Sequence, residues 1–120
     1  MNYYHSFDFI ICNYDCDPKE ITKTLKLKPS KIWRKGGLTK FKKPIKENSW
    51  SYNKTFANNH LIGKNILNFL KKIKFEKLKD FGDIYLQLSI STDETNYQIE
   101  PKVLKVLVDN NITLEYIYQK

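Results

Sequence analysis

From Ile84 to Ile90 the chain reads IYLQLSI, with Ile84, Leu86, Leu88 and Ile90 at every second position and Tyr85, Gln87 and Ser89 between them. A period of two puts the four apolar side chains on one side of an extended strand. The segment therefore demands a sheet with one face buried and the other polar, wet or under a loop. Residues 3 to 12, YYHSFDFIIC, repeat the pattern with Phe7, Phe9 and Ile11 opposite Ser6 and Asp8. Helices are the natural cover for such a face.

The covering helices announce themselves by their caps. Asp17-Pro18-Lys19-Glu20 supplies an N-cap acid, a proline at the first helical position and a glutamate placed to close a capping box, with Ile21 and Leu25 following at helical spacing. A short helix is expected to about Leu27, stopped by Pro29. From Asn59 to Ile73 the stripe Leu61, Ile62, Ile66, Leu67, Leu70 and Ile73 has the helical period, while Lys64, Asn65, Asn68, Lys71 and Lys72 face away. Gly82 closes the linker before the Ile84 strand. Pro101 opens a third helix through Val103, Leu104, Leu107 and Val108, Asn110-Asn111 stops it, and ITLEYIYQ reads as a last strand.

Between Ile32 and Phe56 the signals are weaker: turns at Gly36-Gly37 and near Pro44, then alternation through Trp50, Ser51 and Tyr52. We read a loose β-hairpin or strand-loop-strand. The order β-α-β(β)-α-β-α-β predicts an α+β two-layer sandwich, a four- or five-stranded mostly antiparallel sheet with helices on one face, as a ferredoxin-like variant.

A chain of 120 residues with 41% hydrophobic content suits one domain over residues 1–120. No apolar run approaches the roughly 18 residues needed to span a bilayer, so no membrane partner is expected. The start MNYYHSFDF lacks the basic, apolar and small-residue segments of a leader, which makes a cytoplasmic location the default expectation. Cys12 and Cys16, with only His5 and His60 to help, have no ligand-like spacing and are expected reduced and structural. NYDCDPKE fails as a calcium loop, because Pro18 stands where the turn glycine belongs and Thr24 where the bidentate glutamate belongs. No cofactor is implied.

The net charge is +8, and every basic residue except Arg34 is a lysine. Lysine together with abundant Asn, Ile and Tyr fits drift in an AT-rich genome, so most single lysines signify only a wet surface. Drift does not explain their distribution. Residues 21 to 75 hold fifteen basic residues against Glu47 alone, and the two flanks are net acidic.

The Phe-Asp-Phe strand, DPKEIT, LKLKPSKIWRKGG, the isolated Trp50, HLIGKNILNFLKKI and IEPKVLKVLVDNNITLEYIY resemble, over nearly the whole chain, the small bacterial and phage proteins of domain of unknown function 4279. The resemblance rests on the order of weak motifs: Asp17-Pro18 with Glu20-Ile21-Thr22, Pro29-Ser30, Lys35-Gly36, Trp50. It implies an α/β domain, often encoded alone, with a place in conflict among bacteria, toxins or phages. It brings no catalytic residues. The lysine load between Trp33 and Trp50 is heavier than the family's pattern.

Nothing in the sequence assembles a nucleophile, base or metal, so the chain is read as non-enzymatic. Gly36-Gly37 beside Arg34 and Lys35 lacks the strand, helix and Lys-Ser/Thr of a phosphate loop and is read as a hairpin turn. The lone Arg34 suggests a place that needs a planar fork. Of Trp33 and Trp50, one is expected in the core.

The candidate ligand residues are Lys31, Trp33, Arg34, Lys35, Lys40, Trp50 and Tyr52. They suit a binder that sequesters an anionic, nucleotide-like molecule, cations meeting phosphate and an aromatic ring stacking on a base. The alternatives are an immunity or inhibitor protein docking an acidic protein such as a toxin, and nonspecific nucleic-acid binding. The oligomeric state is open, a homodimer included.

Overall fold

The computed structural model describes residues 4–57, 62–78, 81–91 and 99–119. The chain runs β1 (Tyr4–Cys12), α1 (Pro18–Leu25), β2 (Lys31–Trp33), β3 (Ser49–Ala57), α2 (Ile62–Leu70), a 3-10 turn at Phe75–Lys77, β4 (Asp83–Ser91), α3 (Pro101–Asp109) and β5 (Ile112–Gln119). The five strands form one sheet in the order β2-β3-β1-β4-β5. Every neighbouring pair is antiparallel except β4 and β5, which run parallel.

This order follows from two interleaved β-α-β units. β1-α1-β2 and β3-α2-β4 slot together so that β1 and β3 lie side by side in the middle, the ferredoxin-like arrangement. α3 then carries the chain back to lay β5 beside β4, as a helical crossover between parallel strands does.

β1 is paired along its length on both sides: Phe9 stands between Tyr52 and Leu86, and Ile11 between Trp50 and Ile84. Directly opposed residues share a face, so Phe7, Phe9, Ile11, Trp50, Ile84, Leu86, Leu88 and Ile112 make one apolar surface. Ile21 of α1, Ile62, Ile66, Phe69 and Leu70 of α2, and Val103 and Leu107 of α3 close over it in a single buried cluster. All three helices therefore lie on that face. Each such fully buried aliphatic or aromatic side chain contributes about 1.5–3 kcal/mol relative to exposure.

Local signals set the element ends. Asp17 accepts from the Lys19 amide at 2.9 Å, and α1 stops earlier than Pro29 requires because Lys26 turns left-handed (φ 56°) and returns its N–H to Thr22. Of the expected second helix, 59 to 73, the stretch 59–61 lies outside the described residues, and α2 is described from Ile62. After Leu70 its last turn tightens, with Ile73 bonding back to Leu70. At the other end of the sheet Gly82 passes so close to β1 that a Cβ there would stand 2.2 Å from the Cys12 carbonyl oxygen.

Candidate functional site

The short edge strand β2 places two of its residues on the helix-free side of the sheet. Ile32 pairs with buried Trp50, so Lys31 and Trp33, opposite Ser51 and Ser49, face the other way. Trp33 stays 38% exposed, and the Lys31 ammonium lies 4.2 Å from its ring centroid.

Beyond Trp33 the chain does not simply turn at the two glycines. Gly36 takes φ 90°, a conformation L side chains rarely adopt, and Gly36 and Gly37 exchange bonds with Ile45: Gly36 N–H to Ile45 O at 3.1 Å and Ile45 N–H to Gly37 O at 2.9 Å. Leu38 bridges Pro44, and Thr39 and Lys43 close the far end. Gly36-Gly37 is thus the entrance to a projecting hairpin whose tip is residues 39–43. The glycines do make the expected turn, with the Gly37 N–H donating to the Arg34 carbonyl at 3.0 Å, and a second turn closes the tip, where Lys42 takes φ 59° and donates its N–H to the Thr39 carbonyl at 2.8 Å. Asn48 fastens the base: its Oδ1 accepts from the Lys35 amide at 2.8 Å, and its Nδ2 donates to the Tyr14 carbonyl at 2.9 Å.

Between β2 and this hairpin lies a groove of about 840 Å³ that brings together Lys31, Trp33, Arg34, Leu38, Lys40 and Lys43. No carboxylate lines it among the described residues. A low-dielectric cleft with one sign of charge focuses its field outward and attracts anions.

A second cleft, of about 550 Å³, lies on the helix-free face of the sheet. Trp33 and Ile45 belong to both hollows and form the partition between them. Its floor is Ile10, Cys12 and Ser49, and its far side is Tyr85 and Glu115, with Lys46 and Glu47 above. Here the field is negative. The Cys12 thiol is pushed up to about 11, by burial first and then by Glu47 and Asp83. Tyr85 is raised too, by neighbouring Cys12 first, then by desolvation and by Asp83, Glu47 and Glu115.

Of the seven residues expected at the site, Lys31, Trp33, Arg34 and Lys40 meet in the first groove. Lys35 is exposed and joins neither hollow through its side chain. Trp50 and Tyr52 lie on the opposite side of the sheet, which corrects their expected place. Trp50 is 0% exposed, with its indole N–H bonded to Thr22, and Tyr52 stacks on Phe69 at 5.4 Å with rings 5° apart. The register with β1 decides this, because Trp50 and Tyr52 oppose Ile11 and Phe9.

Sequence reasoning missed Ile45, Asn48, Tyr85 and Glu115. For Tyr85 a signal existed: it stands on the polar side of the clearest strand. The basic bias is also divided, since a cleft of about 530 Å³ beside the end of α1 gathers Lys23, Lys26, Lys72, Lys74 and Lys77 around Glu20 and Phe81.

Among the described residues no three His, Cys, Asp or Glu side chains gather as metal ligands do, and no helix is long and apolar enough to cross a membrane. No curated protein and no solved structure matches the chain. One family model does, over residues 2–119, nearly the full length. The chain, with its projecting basic hairpin and partitioned hollows, belongs to the family described as Domain of unknown function (DUF4279).

Proposed function

We propose that the protein is a non-catalytic binder that sequesters an anionic, nucleotide-like molecule in the groove between β2 and the 34–48 hairpin. The observation that carries this reading is the convergence of Lys31, Arg34, Lys40 and Lys43 beside half-exposed Trp33, with no carboxylate in the lining among the described residues. The groove's volume lies within the usual range of small-molecule sites, and its mixture of aromatic, aliphatic and cationic walls suits a ligand with a flat ring and a phosphate. Arg34 offers the planar fork for two phosphate oxygens, and the lysines add point charge.

Thermal unfolding of the full chain against a panel of nucleotides and pyrophosphate tests this. A true ligand at a hundred times its dissociation constant stabilises the fold by about 2.7 kcal/mol. If every member of the panel leaves the unfolding curve in place, the reading is wrong.

A second reading, docking of an acidic protein partner, is favoured by one feature. Leu38 and Phe41, 66% and 73% exposed, stand on the hairpin among lysines, as apolar anchors within a basic rim would. Stoichiometric co-purification of an acidic protein, lost on Phe41→Ser, would bring that reading forward.

A further inference from the structure

We infer that the cleft on the helix-free face receives the base of a guanine nucleotide whose phosphates occupy the adjoining basic groove. The inference rests on the proposed function and specifies its ligand.

The two hollows share a wall and have opposite charge. On one side of Trp33 the groove is lined by Lys31, Arg34, Lys40 and Lys43; on the other, the cleft holds Glu47 and Glu115 with a single cation, Lys46. A ligand spanning both must be anionic at one end and rich in hydrogen-bond donors at the other. Ionised carboxylates only accept hydrogen bonds, and a lysine only donates.

The cleft has room for a planar base. Trp33 and Tyr85 are on β2 and β4, three strand spacings apart across β3 and β1, or about 14 Å at ~4.8 Å each. The floor between them is short: Ser49 next to Trp33, then Cys12, then Ile10 opposite Tyr85. A ring entering past Trp33 can stack on the indole and rest its edge toward Glu47, while Glu115 stands one strand beyond Tyr85, where its Oε2 accepts from Gln87 Nε2 at 3.2 Å. The hairpin strand carrying Pro44 and Ile45 covers it from the other side.

Among the common bases the donor pattern selects guanine. Its N1–H and N2 amino group sit side by side and fill both oxygens of one carboxylate, and its O6 beside them accepts from an ammonium such as Lys46. Adenine presents one amino group next to a ring acceptor, which a carboxylate repels. Uracil and thymine present one N–H between two carbonyls. Cytosine offers an amino group but places acceptors beside it. A carboxylate left facing an acceptor is desolvated without return, so the cleft discriminates by penalty as well as by attraction.

The test is calorimetric titration of the full chain with GTP, ATP, inosine triphosphate and pyrophosphate. GTP is expected to bind at least tenfold more tightly than ATP, and inosine triphosphate, which lacks the N2 amino group, to fall several-fold below GTP. Glu47→Gln and Glu115→Gln change exposed side chains, and at least one of them should reduce GTP affinity tenfold while pyrophosphate binding stays unchanged. If pyrophosphate binds but GTP and ATP bind equally, the inference is overturned and the basic-groove reading stands. If neither pyrophosphate nor any nucleotide binds, both fall. A preference for GTP that survives both substitutions, or is undiminished for inosine triphosphate, would place the base elsewhere and also overturn it.

Discussion

The indole N–H of Trp50 donates to Thr22 Oγ1 across 3.0 Å, joining the start of β3 to the middle of α1 beneath the sheet. The bond lets the chain's largest buried side chain sit in the core without an orphaned donor. It also separates the two tryptophans by task, leaving Trp33 on the open face.

Thr22→Val keeps the shape of that contact and removes the acceptor. The unpaired buried indole N–H should cost about 1–3 kcal/mol, measured as a lower urea midpoint at unchanged slope. Trp50→Ala should cost about 3–5 kcal/mol, since a cavity is added to the lost burial. A Thr22→Val protein as stable as the parent would show the bond to be dispensable.

At the groove the pattern reverses. Trp33→Ala, on an exposed edge strand, should fold and melt near the parent while nucleotide binding is lost; Trp33→Phe should fall between them. Unfolding of Trp33→Ala would instead assign Trp33 to the structure.

Arg34→Lys preserves charge and removes the fork. Affinity for pyrophosphate should drop by roughly 1–3 kcal/mol with stability unmoved, whereas Lys42→Ala, outside the groove lining, should cost much less. Equal affinity for parent and Arg34→Lys would remove Arg34 from the site.

Gly82→Ala sets a methyl group against the Cys12 carbonyl oxygen, and two paired strands must part to admit it. A loss of about 1–3 kcal/mol is expected. Hydrogen exchange should report it first at Cys12 and Asp83, and an unperturbed exchange pattern there would contradict the close packing.

Alkaline pH should weaken the fold partly through Cys12. Its ordinary pKa of 9.0 rises to about 11 in the native protein, so the unfolded chain releases the proton first. Below pH 9 this contribution is whole; between 9 and 11 the native state binds more protons, and stability falls as pH rises. Cys16, Tyr14 and Tyr85 are raised as well and add to the trend. Urea midpoints at pH 8 and pH 10.5 should therefore differ less for Cys12→Ala than for the parent; an identical difference would clear Cys12 of the effect.

The strands with strict alternation and the helices with caps were legible because their cues are local. Asp17-Pro18 opens α1, Pro101 opens α3, and the alternation of Ile84, Leu86 and Leu88 is the buried face of β4. Between Trp33 and Trp50 the outline was legible too, since β2 and β3 pair antiparallel as the expected strand-loop-strand, but the form of the projecting arm was not. The hairpin is held by Gly36 and Gly37 bonding to Ile45 and by Asn48 reaching both Lys35 and Tyr14, contacts that no periodicity encodes.

By itself the sequence determined the element order, the buried side of β1 and β4, and the concentration of positive charge near Arg34, since each depends on residues close together in the chain. Tertiary structure decided which tryptophan is core. Trp33 lies in KIWRK and Trp50 in NSWSY, and neither local context tells core from surface; the pairing of Trp50 with Ile11, and of Trp33 with Ser49, sends one under α1 and leaves the other at the wall of two hollows. It also decided that Tyr85 and Glu115, far from the basic segment in the chain, face the same cleft, because side-chain direction in a sheet follows register and register is a long-range property.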